Sequence, residues 1–121
     1  MIEFQRPDGT TCPGYLAEAS PDAPGLVVIQ EWWGLNEQIK KTADRFAEAG
    51  FRALVPDLYR GEIAGDADEA NHKMNNLDWG AAAQQDLKGA LQHLKQNGKP
   101  AGVVGFCMGG ALTIISAVHL E

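Results

Sequence analysis

Gly105-Phe106-Cys107-Met108-Gly109 sets a thiol between two glycines, directly after an apolar run and directly before an amphipathic one. The pattern is G-x-C-x-G at a strand-to-helix junction. A nucleophile at the apex of so sharp a turn needs unusual backbone angles, and side chains two positions to either side would collide. Gly105 and Gly109 relieve that clash. The helix that follows aims its N-terminal amides at the reacting atom, where they lower a thiol's pKa and hold a developing oxyanion. The chemistry so framed is covalent catalysis, with Cys107 attacking a carbonyl carbon. Two other readings of the same residues stay open. In one, Cys107 is a small buried apolar residue whose glycines only allow a helix to pack close on a strand. In the other, Gly105, Gly109 and Gly110 cradle a nucleotide, as in a flavodoxin-like binder. Their spacing is G-x-x-x-G-G rather than G-x-G-x-x-G, and no acidic ribose partner falls where that fingerprint expects one.

A cysteine nucleophile also needs a base and a group to orient it. Of the three histidines, only His119 follows Cys107. Twelve residues along one helix, it would lie on the order of 18 Å away, so it reads as a helix-end residue suited to the dipole. His72 falls in a segment of weak pattern and His93 near the end of a long helix, and both read as surface residues. Glu31 is the more telling acid. In "IQEWWG" it ends a buried strand ahead of Trp32 and Trp33, which points to a carboxylate facing a pocket; the competing reading is a solvated loop carboxylate. The two tryptophans read equally well as packing residues.

The elements that must position these groups follow from periodicity. Ile2 and Phe4 alternate with polar neighbours, Pro7-Asp8-Gly9 signals a turn, and Tyr15 to Ala17 return, so a β-hairpin opens the chain. Residues 20–25 read as a loop, and Leu26 to Gln30 as a strand buried on both faces. Asn36 caps a helix in which Ile39, Ala43, Phe46 and Ala47 form one apolar stripe, stopped by Gly50. Phe51 to Val55 is the next strand, ended by Pro56. Residues 57–77 carry a weak pattern, with a short helix over 66–74. Asp78 caps a longer helix whose inward stripe is Leu87, Leu91 and Leu94, ended by Gly98 and Pro100. "AGVVGF", 101–106, is a third buried strand, and Met108, Ala111, Leu112, Ile115 and Val118 mark the apolar face of a last helix. Strands alternating with helices make an α/β fold with a mostly parallel sheet, entered through an antiparallel hairpin.

The totals set bounds. The 121 residues allow one domain with a modest core. The net charge is −6, with ten Lys and Arg against sixteen Asp and Glu. No basic cluster tracks phosphates, so neither nucleic acid nor a membrane surface is an expected partner. No signal peptide and no apolar stretch of membrane-spanning length is visible. Cys12 and Cys107 are far apart and make no metal-ligand spacing, which favours a reducing, cytoplasmic setting.

"VVIQEWWGLN", "FRALVPDLYRG" and "VVGFCMGGA", in this order and spacing, resemble the N-terminal half of the dienelactone hydrolase family in the α/β-hydrolase superfamily. The resemblance covers nearly the whole chain, and the three motifs together are far more specific than G-x-C-x-G alone. It implies hydrolysis of a small-molecule lactone or carboxylic ester through a cysteine acyl-enzyme, with no metal and no organic cofactor. Cys107 then falls on the nucleophile and Glu31 on the acid associated with the resting thiol and its activation. The backbone N–H groups of Met108 and Trp32 fall on the oxyanion hole, and Asp57 on a structural aspartate. Where the family often holds a substrate-carboxylate-binding arginine, Arg60 is the nearest candidate, but no motif aligns it. The family's triad acid and histidine follow the nucleophile on later loops, and only fourteen residues follow Cys107 here. The resemblance therefore implies an incomplete α/β-hydrolase domain over 1–121, lacking the C-terminal strands and inactive alone. It also implies an open edge at 101–106 through which a non-catalytic fragment would self-associate.

Overall fold

A computed structural model describes residues 1–105. Cys107, Met108, Gly109, the helix expected after them and His119 lie outside the described residues. Strand β1 (Ile2–Gln5) and β2 (Thr11–Glu18) form the opening hairpin, followed by β3 (Gly25–Val28), helix α1 (Glu37–Glu48) and β4 (Arg52–Pro56). Helix α2 (Ala67–Asn75) leads to a composite helix: α3 (Trp79–Ala81), a π-helical segment (Ala82–Leu87) and α4 (Lys88–Lys95). Strand β5 (Ala101–Val104) ends the described chain, shorter than the expected 101–106 strand. The sheet order is β1-β2-β4-β3-β5. The hairpin joins the rest antiparallel, through β2 on β4, while β4, β3 and β5 run parallel. This is the expected mixed sheet.

Alternation along the parallel strands distributes the core. Val27 and Ile29 of the β3 segment, with Leu54 of β4, join Phe4, Cys12, Leu87, Ala90 and Leu94 on one face. Val28, Ala53 and Val55 join Leu35, Ile39 and Ala43 on the other. A period of two in the strands thus sends successive residues to two different helices. Helix α1 begins where Asn36 predicts: its Oδ1 accepts the Ile39 amide at 3.1 Å. Asp66 and Asp78 cap their helices in the same way, through the amides of Glu69 and Ala81. Such caps each contribute about 1 kcal/mol.

The composite helix departs from the expected uninterrupted stripe. Within its π-helical segment Ala82, Ala83, Asp86 and Leu87 are all buried. The wider turn brings more of six consecutive residues to the sheet than an α-helix would. Asp86 and Leu87 thereby face inward side by side. The helix also runs very close to the sheet edge. A Cβ on Gly89 would lie 2.5 Å from the Gln5 carbonyl oxygen, a separation that excludes any side chain there. His93, expected at the surface, is half-buried with its ring 6.4 Å from that of Phe4. Burial, and secondarily Arg52, pushes its pKa down.

Candidate active site

Parallel strands deliver their C-terminal ends to one side of a sheet, and in open α/β sheets that side carries ligands. The register pairs Val28 with Val104, and Ile29 N–H donates to the Val104 carbonyl at 2.9 Å. The chain leaving β3 through Gln30 and Glu31 therefore starts beside the chain leaving β5 at Gly105. Glu31 and Gly105 are brought to the same end of the sheet. The placement of Cys107, Met108 and Gly109 lies beyond the described residues.

The turn after β3 is tightly built. Glu31 bridges to Gly34, whose N–H donates to the Glu31 carbonyl at 3.1 Å. Gly34 adopts φ 101°, and a Cβ there would stand 2.7 Å from the Glu62 carbonyl oxygen. Glycine is thus required twice over, by conformation and by space. Trp32 and Trp33 meet edge to face with ring centroids 5.3 Å apart, a favourable geometry for aromatic pairs. Trp32 packs against the larger core cluster, so its side chain is partly structural. Glu31 is half-buried and, with Trp33, Asn36 and Thr42, lines a small cavity of about 60 Å³.

Behind this turn lies a group of polar residues, of which the sequence singled out Asp57, Arg60 and Cys12 but not Gln30, Arg6 or Asp86. Gln30 is fully buried, and its Oε1 accepts the Leu58 amide at 3.0 Å. Asp57 is buried, with Oδ2 accepting the Gly61 amide at 2.6 Å. It holds a turn, consistent with a structural role. Arg60 Nη1 donates to the Asp57 carbonyl at 2.7 Å and to Cys12 Sγ at 3.1 Å. Its Nη2 donates to Asp86 Oδ1 at 2.8 Å. Arg6 Nε lies 2.9 Å from the same oxygen, an ion pair whose N–H is not aligned as a hydrogen bond. The Arg60 side chain is partly exposed, but its guanidinium N–H groups are committed to Asp86, Cys12 and the Asp57 carbonyl, which weighs against its serving as a substrate-carboxylate clamp.

Cys12 sits in this cluster with no solvent exposure. Burial, then Asp86, pushes its thiol up to about 12, against the opposing pull of Arg60. Two guanidiniums and two carboxylates already balance, so a thiolate would add an uncompensated buried charge. Cys12 is accordingly an inert neutral thiol at physiological pH. One sequence signal did mark the cluster: Ala82, Asp86 and Gly89 fall at i, i+4 and i+7, which places a carboxylate on a buried flank of the helix. His72 is exposed on α2, as expected. Among the described residues, no group of three or more His, Cys, Asp and Glu side chains is arranged to hold a metal ion. Among them, too, no helix is long and apolar enough to cross a membrane.

Residues 12–121 match the Dienelactone hydrolase family. Protein usf of Aquifex pyrophilus is 37% identical over 97% of this chain and 54% of its own length. The carboxymethylenebutenolidase of Pseudomonas putida is 33% identical over 96% of this chain and 54% of its own length. Among solved structures, the alpha/beta hydrolase GrgF of Penicillium sp. sh18 superposes with a TM-score of 0.74 at 28% identity, covering 98% of this chain and 40% of that one. The chain spans about half the length of the curated relatives it matches.

Proposed function

This chain belongs to the dienelactone hydrolase family, and on that premise we propose that it carries the nucleophile and both oxyanion donors of a lactone or carboxylic ester hydrolase. In this reading the Cys107 thiolate attacks the substrate carbonyl carbon. The C=O π-electrons move to oxygen, and the resulting oxyanion is held by the N–H groups of Met108 and Trp32. Collapse expels the alkoxide and leaves a thioester on Cys107, which water then hydrolyses. Glu31 interacts with the resting thiol and takes part in its activation. Gly105 and Gly109 permit the elbow on which the sulfur sits. The reading needs no metal or organic cofactor.

The observation that best supports this reading is the pairing of β3 with β5. It brings the Glu31–Gly34 turn and the start of the Gly105–Gly109 motif to one end of the sheet. An oxyanion hole in this superfamily draws one amide from each of those two places. None of the three histidines is assigned as the base: His72 is exposed on α2, His93 lies against β1, and His119 lies outside the described residues, only twelve positions after the nucleophile in sequence. With the relatives about twice as long, the reading places the histidine and its acid in sequence that these 121 residues do not match. The chain alone is then expected to acylate but to deacylate slowly.

An activated aryl ester tests this. The folded chain is expected to release about one equivalent of phenolate in a burst, with little turnover after it, and Cys107→Ala to release none. Iodoacetamide should alkylate Cys107 at least 100-fold faster than Cys12. Equal, slow labelling of both thiols, or a burst that survives Cys107→Ala, overturns the nucleophile assignment. A second, non-catalytic reading rests on β5, which among the described residues pairs only with β3. Its other edge offers unpaired amides and carbonyls between apolar side chains, a template for a second copy of the chain. Sedimentation as a clean monomer removes that reading.

A further inference from the structure

We propose that Asp86 and Arg60 are positioning residues for the Glu31–Gly34 turn, acting through the 57–64 loop. Arg60 is the only described non-glycine residue with positive φ, at 55°. A left-handed backbone at a residue with a Cβ costs free energy and persists only where the surroundings impose it. Here the guanidinium does so. Its bonds to Asp86 Oδ1, to Cys12 Sγ and back to the Asp57 carbonyl hold the loop apex against the π-helical segment and the hairpin. The loop in turn clasps the turn after β3 at two points. Leu58 N–H donates to Gln30 Oε1 at 3.0 Å on one side. Ala64 N–H donates to the Trp33 carbonyl at 2.9 Å on the other. Between them the Glu62 carbonyl abuts Gly34 so closely that a methyl group would not fit. Residues 30, 33 and 34, which flank Trp32, are thus held by a loop whose conformation rests on the Arg60–Asp86 ion pair together with the Asp57–Gly61 turn bond.

The consequence for chemistry rests on the hydrolase reading, in which the Trp32 N–H is an oxyanion donor. A shift of about 1 Å in such a donor is enough to lose most of its effect. Alkylation of a thiol by iodoacetamide develops no oxyanion and should be indifferent to it.

Amide hydrogen exchange on the 121-residue chain tests the coupling directly, in Asp86→Asn and Arg60→Lys. The first keeps the shape and removes the charge. The second keeps the charge but cannot reach three acceptors at once. Exchange in segments 31–34 and 57–64 is expected to rise at least tenfold, while the α1 segment 37–48 changes less than twofold. A rise confined to 57–64, a rise of equal size in α1, or no rise overturns the proposal. Should Asp86→Asn fail to fold, Arg60→Lys carries the same readings. In parallel, the rate of the ester burst is expected to fall about tenfold in both variants, with the alkylation rate of Cys107 unchanged. If the parent chain gives no burst, the hydrolase reading fails while the exchange result still judges the positioning. A burst rate unaltered beside enhanced exchange at 31–34 would show that the turn is coupled but is not an oxyanion donor.

Discussion

The two faces of the sheet are held by different physics. On the α1 face, Ile39 and Ala43 meet Val28, Ala53 and Val55, and the one side-chain hydrogen bond described there from the sheet to α1 has a neutral donor, Tyr15 Oη to Asp44 Oδ1 at 2.6 Å on the half-buried rim. On the α4 face, Leu87, Ala90 and Leu94 cover a comparable core, but a charged seam of Arg6, Asp86 and Arg60 runs beside it around Cys12. Apolar contacts are non-directional, so the α1 face can absorb small changes by local repacking. Charged hydrogen bonds to a buried carboxylate are directional, and removing one partner leaves the others unpaired. The seam side is also the side that reaches the loops around the candidate site. The less forgiving packing is therefore found where geometry has to be kept.

Truncation of Asp86 to Ala attacks that contrast most strongly. It leaves two guanidiniums facing each other beside a neutral thiol, and urea denaturation is expected to show a loss of about 4 kcal/mol. Because the three groups act as one unit, combining Asp86→Ala with Arg60→Ala should cost clearly less than the sum of the single losses. Additive losses would mean the seam is not a unit. On the opposite face, Ile39→Ala is expected to cost about 3 kcal/mol, from lost burial plus the residual cavity. Its effect should add to a change at Ala53 on the same face except as far as the two share neighbours.

The smallest effect per unit of perturbation is the titration of Cys12. Its folded pKa of about 12 lies above the ordinary thiol value of 9.0. Below pH 9 both folded and unfolded forms keep the proton, and the stabilising difference is fully present. As pH rises from 9 toward 12 the unfolded thiol ionises while the folded one does not, so stability is lost. Relative to Cys12→Ala, the parent chain should lose about 1.4 kcal/mol per pH unit in that window. Parallel curves for the two proteins would show that the thiol is not held neutral by the fold.

The apolar face was legible in the sequence, and the charged seam largely was not. The stripe of Ile39, Ala43, Phe46 and Ala47, the cap at Asn36 and the buried runs at β3 and β4 are all local patterns, and each appears where it was expected, whereas β5 is shorter than expected and its described residues are half-buried or exposed. The seam joins Arg6, Cys12, Arg60 and Asp86 from four separate stretches of chain, and no local period links them. Its one trace was the acid on the helix flank. The extent of β2, which runs from Thr11 to Glu18, was also hidden, because Pro13 and Gly14 in its first half are residue types that strands disfavour. Of the candidate site, Glu31, Trp32 and Gly105 fall at one end of the sheet through strand register, a relation the motifs implied by their order. The role of Gly34 was not foreseen, since the carbonyl it must clear comes from a segment whose own pattern is weak.

The π-helical segment sets an angular phase. An α-helix advances by about 100° per residue, and a wider turn advances by less. A π-turn takes about one residue more than an α-turn, so losing one residue between 82 and 87 would let the segment close into ordinary α-helix with Trp79–Ala81 keeping nearly the same facing relative to α4. Losing a residue elsewhere along the helix, where no wide turn absorbs it, would rotate everything upstream by about 100°. The span from 79 to 95 thus has one place where its length can change without re-aiming the rest. A change of length in the loop over 19–24, which joins β2 to β3, would turn no helix but would disturb the bonds that Asn97 Nδ2 donates to the Pro21 and Ala23 carbonyls.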